Sequence, residues 1–123
     1  PDSLQALIAA KKEGQVEKIG FSVYSPAQAR RLLAQAPEGA FDLIQLPFSV
    51  FDGRFLLLLP ELKAHGVEVH VRSAFLQGLP QLTQLELTQL FGYAPAPLAA
   101  FRALCIQQNL PLFPALLAYV ACT

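Results

Sequence analysis

Three short apolar stretches, Lys18–Ser22, Phe41–Leu46 and Val67–Ser73, start about 25 residues apart, and each follows a segment of helical pattern. That rhythm is the strongest constraint on the chain, because repeated helix and strand at this spacing is how βα units build a parallel sheet. The middle stretch, Ala40 to Asp52 (AFDLIQLPFSVFD), reads as a buried strand with one amide side chain among apolar ones. Period-two alternation puts Phe41, Leu43 and Gln45 on one face and Asp42, Ile44 and Leu46 on the other. Pro47 cannot donate to a ladder, so the strand is expected to stop just after Gln45.

The intervening segments carry helix signals. Asp2 or Ser3 is expected to cap a first helix with a Leu4, Leu7, Ile8 stripe, ended by Gly14. Ser25 caps a second, with Pro26 at its first position and Ala29, Leu32 and Leu33 inward, ending before Pro37 and Gly39. Leu58 to His65 reads as a third, closed by Gly66, with Pro60 tolerated in its first turn and the Asp52-Gly53 turn before it. Beyond Gly78 the pattern changes. Leu79 to Pro97 is expected to be mostly loop with at most a short helix. A Leu98, Phe101, Leu104, Cys105 stripe follows, and then a last helix over Pro114 to Cys122.

Composition bounds the rest. The 123 residues have room for one domain, but 54% hydrophobic and 15% charged residues are rich for so short a chain, as in a piece of a larger core. There is no methionine and Pro1 opens the chain, so a fragment of a longer protein is expected. Nine basic and nine acidic residues are scattered at zero net charge, which leaves no electrostatic footprint for nucleic acid or an anionic membrane. Cys105 and Cys122 lie far apart without a CxxC, and are expected to be buried free thiols in a reducing compartment. The apolar C-terminal run is broken by Pro111 and Pro114 and falls short of the ~18 to 20 residues of a membrane span. No signal peptide is marked. A cytoplasmic location is expected.

At the C-terminal ends of the three strands, Ser22, Gln45 and Arg72 fall on the less hydrophobic face, opposite Phe21, Ile44 and Val71. Parallel α/β sheets bind ligands at that end; the plainer reading is that polar residues collect where strands emerge into loops. Glu68, His70 and Arg72 share a face, and His70 is expected to be a hydrogen-bonded core residue rather than a base. His65 suits the negative end of a helix dipole, and Asp42 and Asp52 suit turns or caps. There is no metal-ligand cluster, GxGxxG, Walker loop, nucleophile elbow or HExxH.

The segments KIGFSVYSP, FDLIQLPFSVFDGR and VEVHVRSAFLQG, in this order and spacing, resemble the fifth, sixth and seventh strands of an aldo-keto reductase barrel with their following turns. The resemblance covers Leu4 to Gly78 closely and the helices to Thr123 loosely. It implies part of a (β/α)8 TIM barrel: three parallel strands with helices on one face, plus C-terminal helices, residues 1–123 forming one partial domain. It implies NADP or NAD as cofactor, bound without a Rossmann fingerprint, and a small carbonyl compound as substrate. Ser22 and Gln45 match residues that hold the nicotinamide carboxamide, and Ser73, Phe75 and Gln77 match the turn that contacts the pyrophosphate. The family usually has asparagine at the position of Val23, and at that of Arg72 an aromatic ring stacked on the nicotinamide; Arg72 is expected to stack through its guanidinium plane or to pair with a phosphate. The family's catalytic aspartate, tyrosine, lysine and histidine have no counterpart here, and Tyr24 and Lys18 do not match them. The parent is therefore expected to be an NAD(P)H-dependent oxidoreductase and the isolated chain inactive, self-associating through exposed strand edges. The competing readings are a non-catalytic barrel fragment serving as a structural or interaction module, and an unrelated βα protein.

Overall fold

The computed structural model describes residues 2–37, 39–93 and 95–123, without the side chain of Asp2. It is an α/β chain in two compact units: residues up to Pro47 together with Arg54–Arg72, and Phe48–Gly53 together with Ser73–Thr123.

The first unit is the sheet. Strands β1 (Gly20–Ser22), β2 (Leu43–Pro47) and β3 (Glu68–Arg72) are parallel and lie in the order β1-β2-β3. Helix α1 (Asp2–Lys12) precedes β1, α2 (Pro26–Gln35) joins β1 to β2, and α3 (Leu59–Ala64), entered through a 3-10 turn at Leu56–Leu58, joins β2 to β3. Both crossovers step in the same direction along the sheet, so the right-handed rule puts α2 and α3 on the same face. That face is the apolar one. Ile44 and Leu46 on β2, Ala29 on α2 and Leu62 on α3 are all fully buried.

The helices start and stop where local chemistry dictates. Ser25 and Gln28 form a reciprocal capping box with Pro26 in the first turn of α2, and His65 closes α3 with its ring Nδ1 2.8 Å from the Glu61 carbonyl. Gly14 and Gly66 follow α1 and α3 at φ +73 and +68. The cap expected at Asp2 or Ser3 is different, since α1 already includes both residues, and the Asp2 side chain lies outside the described structure.

Two expectations about β2 are corrected. The strand runs on through Pro47, because the Gln45 carbonyl accepts the Val23 N–H at 2.9 Å and so faces β1. Two residues later Pro47 faces the same way, past the end of β1, where its missing N–H costs no ladder bond; on the other side pairing continues from Pro47 to Arg72. Phe41 precedes the strand and escapes its alternation. Its ring meets Phe21 edge-on at 5.5 Å, on the face opposite Gln45.

Asp42 braces this start of the sheet. One carboxylate oxygen accepts the Ile19 N–H at 2.9 Å, and the other takes the Lys11 ammonium at the end of α1. The Lys11 bond and then the Ile19 N–H hold the Asp42 carboxyl below its ordinary pKa. Stability from a carboxylate depressed in this way is complete above the unfolded pKa of about 4 and is lost as pH falls through the lower folded value. Asp42→Asn should therefore flatten the fall in urea midpoint below about pH 4, while the parent chain retains it.

The second unit is helical, with α4 (Gln84–Phe91), α5 (Ala96–Gln107) and α6 (Leu112–Ala121). Its aromatic pairs are Phe48 stacked on Tyr119 and the edge-on pairs Phe51–Phe101 and Phe75–Phe113. The Arg102 guanidinium donates to the carbonyls of Pro80 and Leu82 and ties the preceding turn to α5. Leu79 to Pro97 does contain the short helix allowed there, α4, two turns long, started by a Thr83–Glu86 capping box and stopped by Gly92 at φ +75; Ala94, in the same stretch, lies outside the described residues. On α5, Leu98 and Cys105 are buried, but Leu104 is exposed and leaves the expected stripe. Cys105 is a buried thiol, whereas Cys122 caps the last helix and is exposed, against expectation. No single helix among the described residues is long and apolar enough to cross a membrane.

Candidate functional site

The register decides which side chains meet at the C-terminal end of the sheet. Ser22 is paired with Gln45 and Gln45 with His70. Since the pleat alternates, Ser22, Leu43, Gln45, Glu68, His70 and Arg72 share one face, as expected for Ser22, Gln45 and Arg72. Ser22 Oγ lies 3.5 Å from Gln45 Oε1, and both residues are exposed. A hydroxyl beside a primary amide offers a donor and an acceptor within one span, which complements another carboxamide.

Arg72 ends β3 and reaches the far side of the sheet. Its Nη2 donates to the Val23 carbonyl at 3.3 Å, so the side chain crosses over β2 to arrive at β1. The guanidinium carbon lies 4.3 Å from the centre of the Tyr24 ring, a cation–π contact. Nε is buried and has no hydrogen-bond partner. From the loop after β2, Arg54 Nη1 donates to the Tyr24 carbonyl at 3.4 Å. The stacking partner of Arg72 is thus a side chain of this unit, which the sequence reading passed over.

Lower on the same face, Glu68 pairs with Lys18 and lies 3.5 Å from His70 Nε2. The Lys18 bond holds the Glu68 carboxyl below its ordinary pKa, and Glu68 in turn raises Lys18. His70 is exposed, so the expected core histidine is corrected: the carboxylate beside it is its partner, and water reaches both. Asp52 does turn duty, exchanging backbone hydrogen bonds with Ser49. No group of three histidine, cysteine or acidic residues able to hold a metal occurs among the described residues.

The other three expected site residues belong to the second unit. Ser73, Phe75 and Gln77 alternate as exposed positions in the segment after β3. Ser73, Leu76 and Gln77 have φ of 62, 47 and 55, followed by Gly78 at 86. Left-handed backbone at a non-glycine residue costs on the order of 1 kcal/mol or more and persists where surrounding structure enforces it, commonly in ligand loops. The Leu76 and Gly78 amides close tight turns onto Ser73 and Phe75, and the Phe75 ring is held edge-on by Phe113.

Tyr24 and Arg54 had no local signal. Val23 and Arg72 are 49 positions apart in sequence, and only the β1-β2-β3 order brings one side chain across to the other. Compared with known proteins, the chain matches no family model, and no curated protein matches it.

Proposed function

We propose that this chain supplies three consecutive strands of an aldo-keto-reductase-like βα barrel, and with them part of the seat for a nicotinamide dinucleotide, NADP or NAD, in a protein that reduces small carbonyl compounds by hydride transfer. The observation that carries the reading is the pairing of Ser22 with Gln45 across β1 and β2, exposed on the polar face at the end of the sheet where parallel α/β folds bind ligands. The role of such a pair is positional: it holds the carboxamide so that the ring presents one face to the substrate. Both crossovers step in a single direction, which a barrel requires and one half of an open sheet shares, and Ser73, Phe75 and Gln77 in the left-handed segment Ser73 to Gly78 match, by the same resemblance, the turn that contacts the pyrophosphate.

Hydride transfer to a carbonyl also needs a proton donor, and none of the family's four catalytic residues has a counterpart in these 123 residues. The chain by itself is therefore expected to oxidise no NADPH with a panel of aldehydes; sustained turnover would reveal a donor in a place the reading does not allow.

The direct test is titration of the chain with nicotinamide riboside while the side-chain amide of Gln45 is followed by NMR. Saturable shifts at Gln45 and Ser22 are expected, and Gln45→Ala should weaken binding about fivefold to thirtyfold, the worth of one or two hydrogen bonds of ~1 kcal/mol. In a protein that completes the barrel, the same substitution should slow hydride transfer by on the order of tenfold to a hundredfold. Shifts spread evenly over the chain, with Gln45→Ala binding as before, would remove the assignment.

A further inference from the structure

We propose that Arg72 is an oxyanion subsite at the C-terminal end of the sheet and that Tyr24 is its movable cover. The side-on edge of a guanidinium carries Nε–H and one Nη2–H pointing the same way, the fork that binds two oxygens of a phosphate or carboxylate. In Arg72 that edge is half used. Nη2 makes a long bond of 3.3 Å to a neutral backbone carbonyl, and Nε is buried with no acceptor. No carboxylate pairs with Arg72 among the described residues. A buried charged donor without an acceptor is a cost that folds rarely leave standing, and a two-oxygen anion arriving in the guanidinium plane relieves it.

The surroundings fit such a ligand. Arg54 brings a second guanidinium to the adjacent carbonyl of Tyr24. Tyr24 covers the flat face of Arg72, where it stabilises the cation without satisfying any N–H. The Tyr24 backbone is pinned, its N–H donating to Gln28 Oε1 at 2.7 Å, while the side chain is 65% exposed. The ring can therefore turn away about its side-chain bonds with α2 left in place. This subsite rests on the geometry of the sheet unit alone, and stands or falls separately from the dinucleotide reading.

The test follows the arginine Nε–H signals of the whole chain by NMR during titration with inorganic phosphate and, separately, acetate, against sodium chloride at equal ionic strength. One signal, absent from Arg72→Lys and from Arg72→Gln, is expected to shift saturably with an oxyanion and to stay still with chloride. A response to phosphate alone identifies a phosphate subsite, to acetate alone a carboxylate subsite, and to both a general oxyanion site. Tyr24→Ala should bind the anion about twofold to fivefold more tightly, the worth of an exposed cation–π contact, and Tyr24→Phe should match the parent chain. The proposal is overturned if that signal stays still with both oxyanions, if all arginines respond alike, or if Tyr24→Ala binds more weakly. Binding of either anion with no response of Gln45 to nicotinamide riboside would leave the subsite and remove the dinucleotide.

Discussion

Gly20→Ala is expected to be the most damaging single methyl group that can be added to the sheet. Gly20 is paired with Leu43, and a Cβ built on it would lie 2.1 Å from the Leu43 carbonyl oxygen and 2.6 Å from Leu43 Cδ1. The nearer atom is backbone in the central strand, held on both sides, so it cannot move aside as a side chain would. Overpacking of this kind costs typically 1 to 3 kcal/mol, and a backbone clash belongs at the upper end, about 3 kcal/mol. With a urea dependence of ~2 kcal/mol per molar, the unfolding midpoint should fall by on the order of 1.5 M. Leu43→Ala in the same chain should restore little, because the shortest contact remains. A midpoint within ~0.3 M of the parent would mean that β1 and β2 are not in this register.

Ile44→Ala and Gln45→Ala, one residue apart on β2, are expected to have opposite consequences. Ile44 is fully buried on the apolar face, and its truncation leaves a cavity that should cost about 3 kcal/mol. Gln45 is exposed on the polar face, and its truncation should change stability by less than about 0.5 kcal/mol while removing the carboxamide contact. Paired urea melts measure both. Equal losses, or losses in the reverse order, would indicate a strand slipped by one residue, since a slip exchanges the two faces.

The local chemistry of each element was legible in the residues that form it. Ser25, Pro26 and the Ala29, Leu32, Leu33 stripe define α2, because capping and amphipathic spacing act within a few residues and need no partner from elsewhere. The polar face of Ser22, Gln45 and Arg72 follows from alternation alone. Thr83 and Glu86 carried the same kind of signal for α4, but flanking proline and glycine obscured it. Alternation holds only inside a strand, which is why Phe41, two residues before β2, turns instead to the Phe21 side.

Long-range geometry decided the rest. Asp42 takes Lys11 from 31 positions away, and Arg72 takes the Val23 carbonyl from 49. Neither partner is recoverable from spacing, because each depends on how far apart the strands and helices lie once the sheet has formed. Burial is equally non-local: Leu104 sits at a position whose period points inward and His70 is expected in the core, yet both are exposed, because a period names a face and only packing determines whether anything covers it.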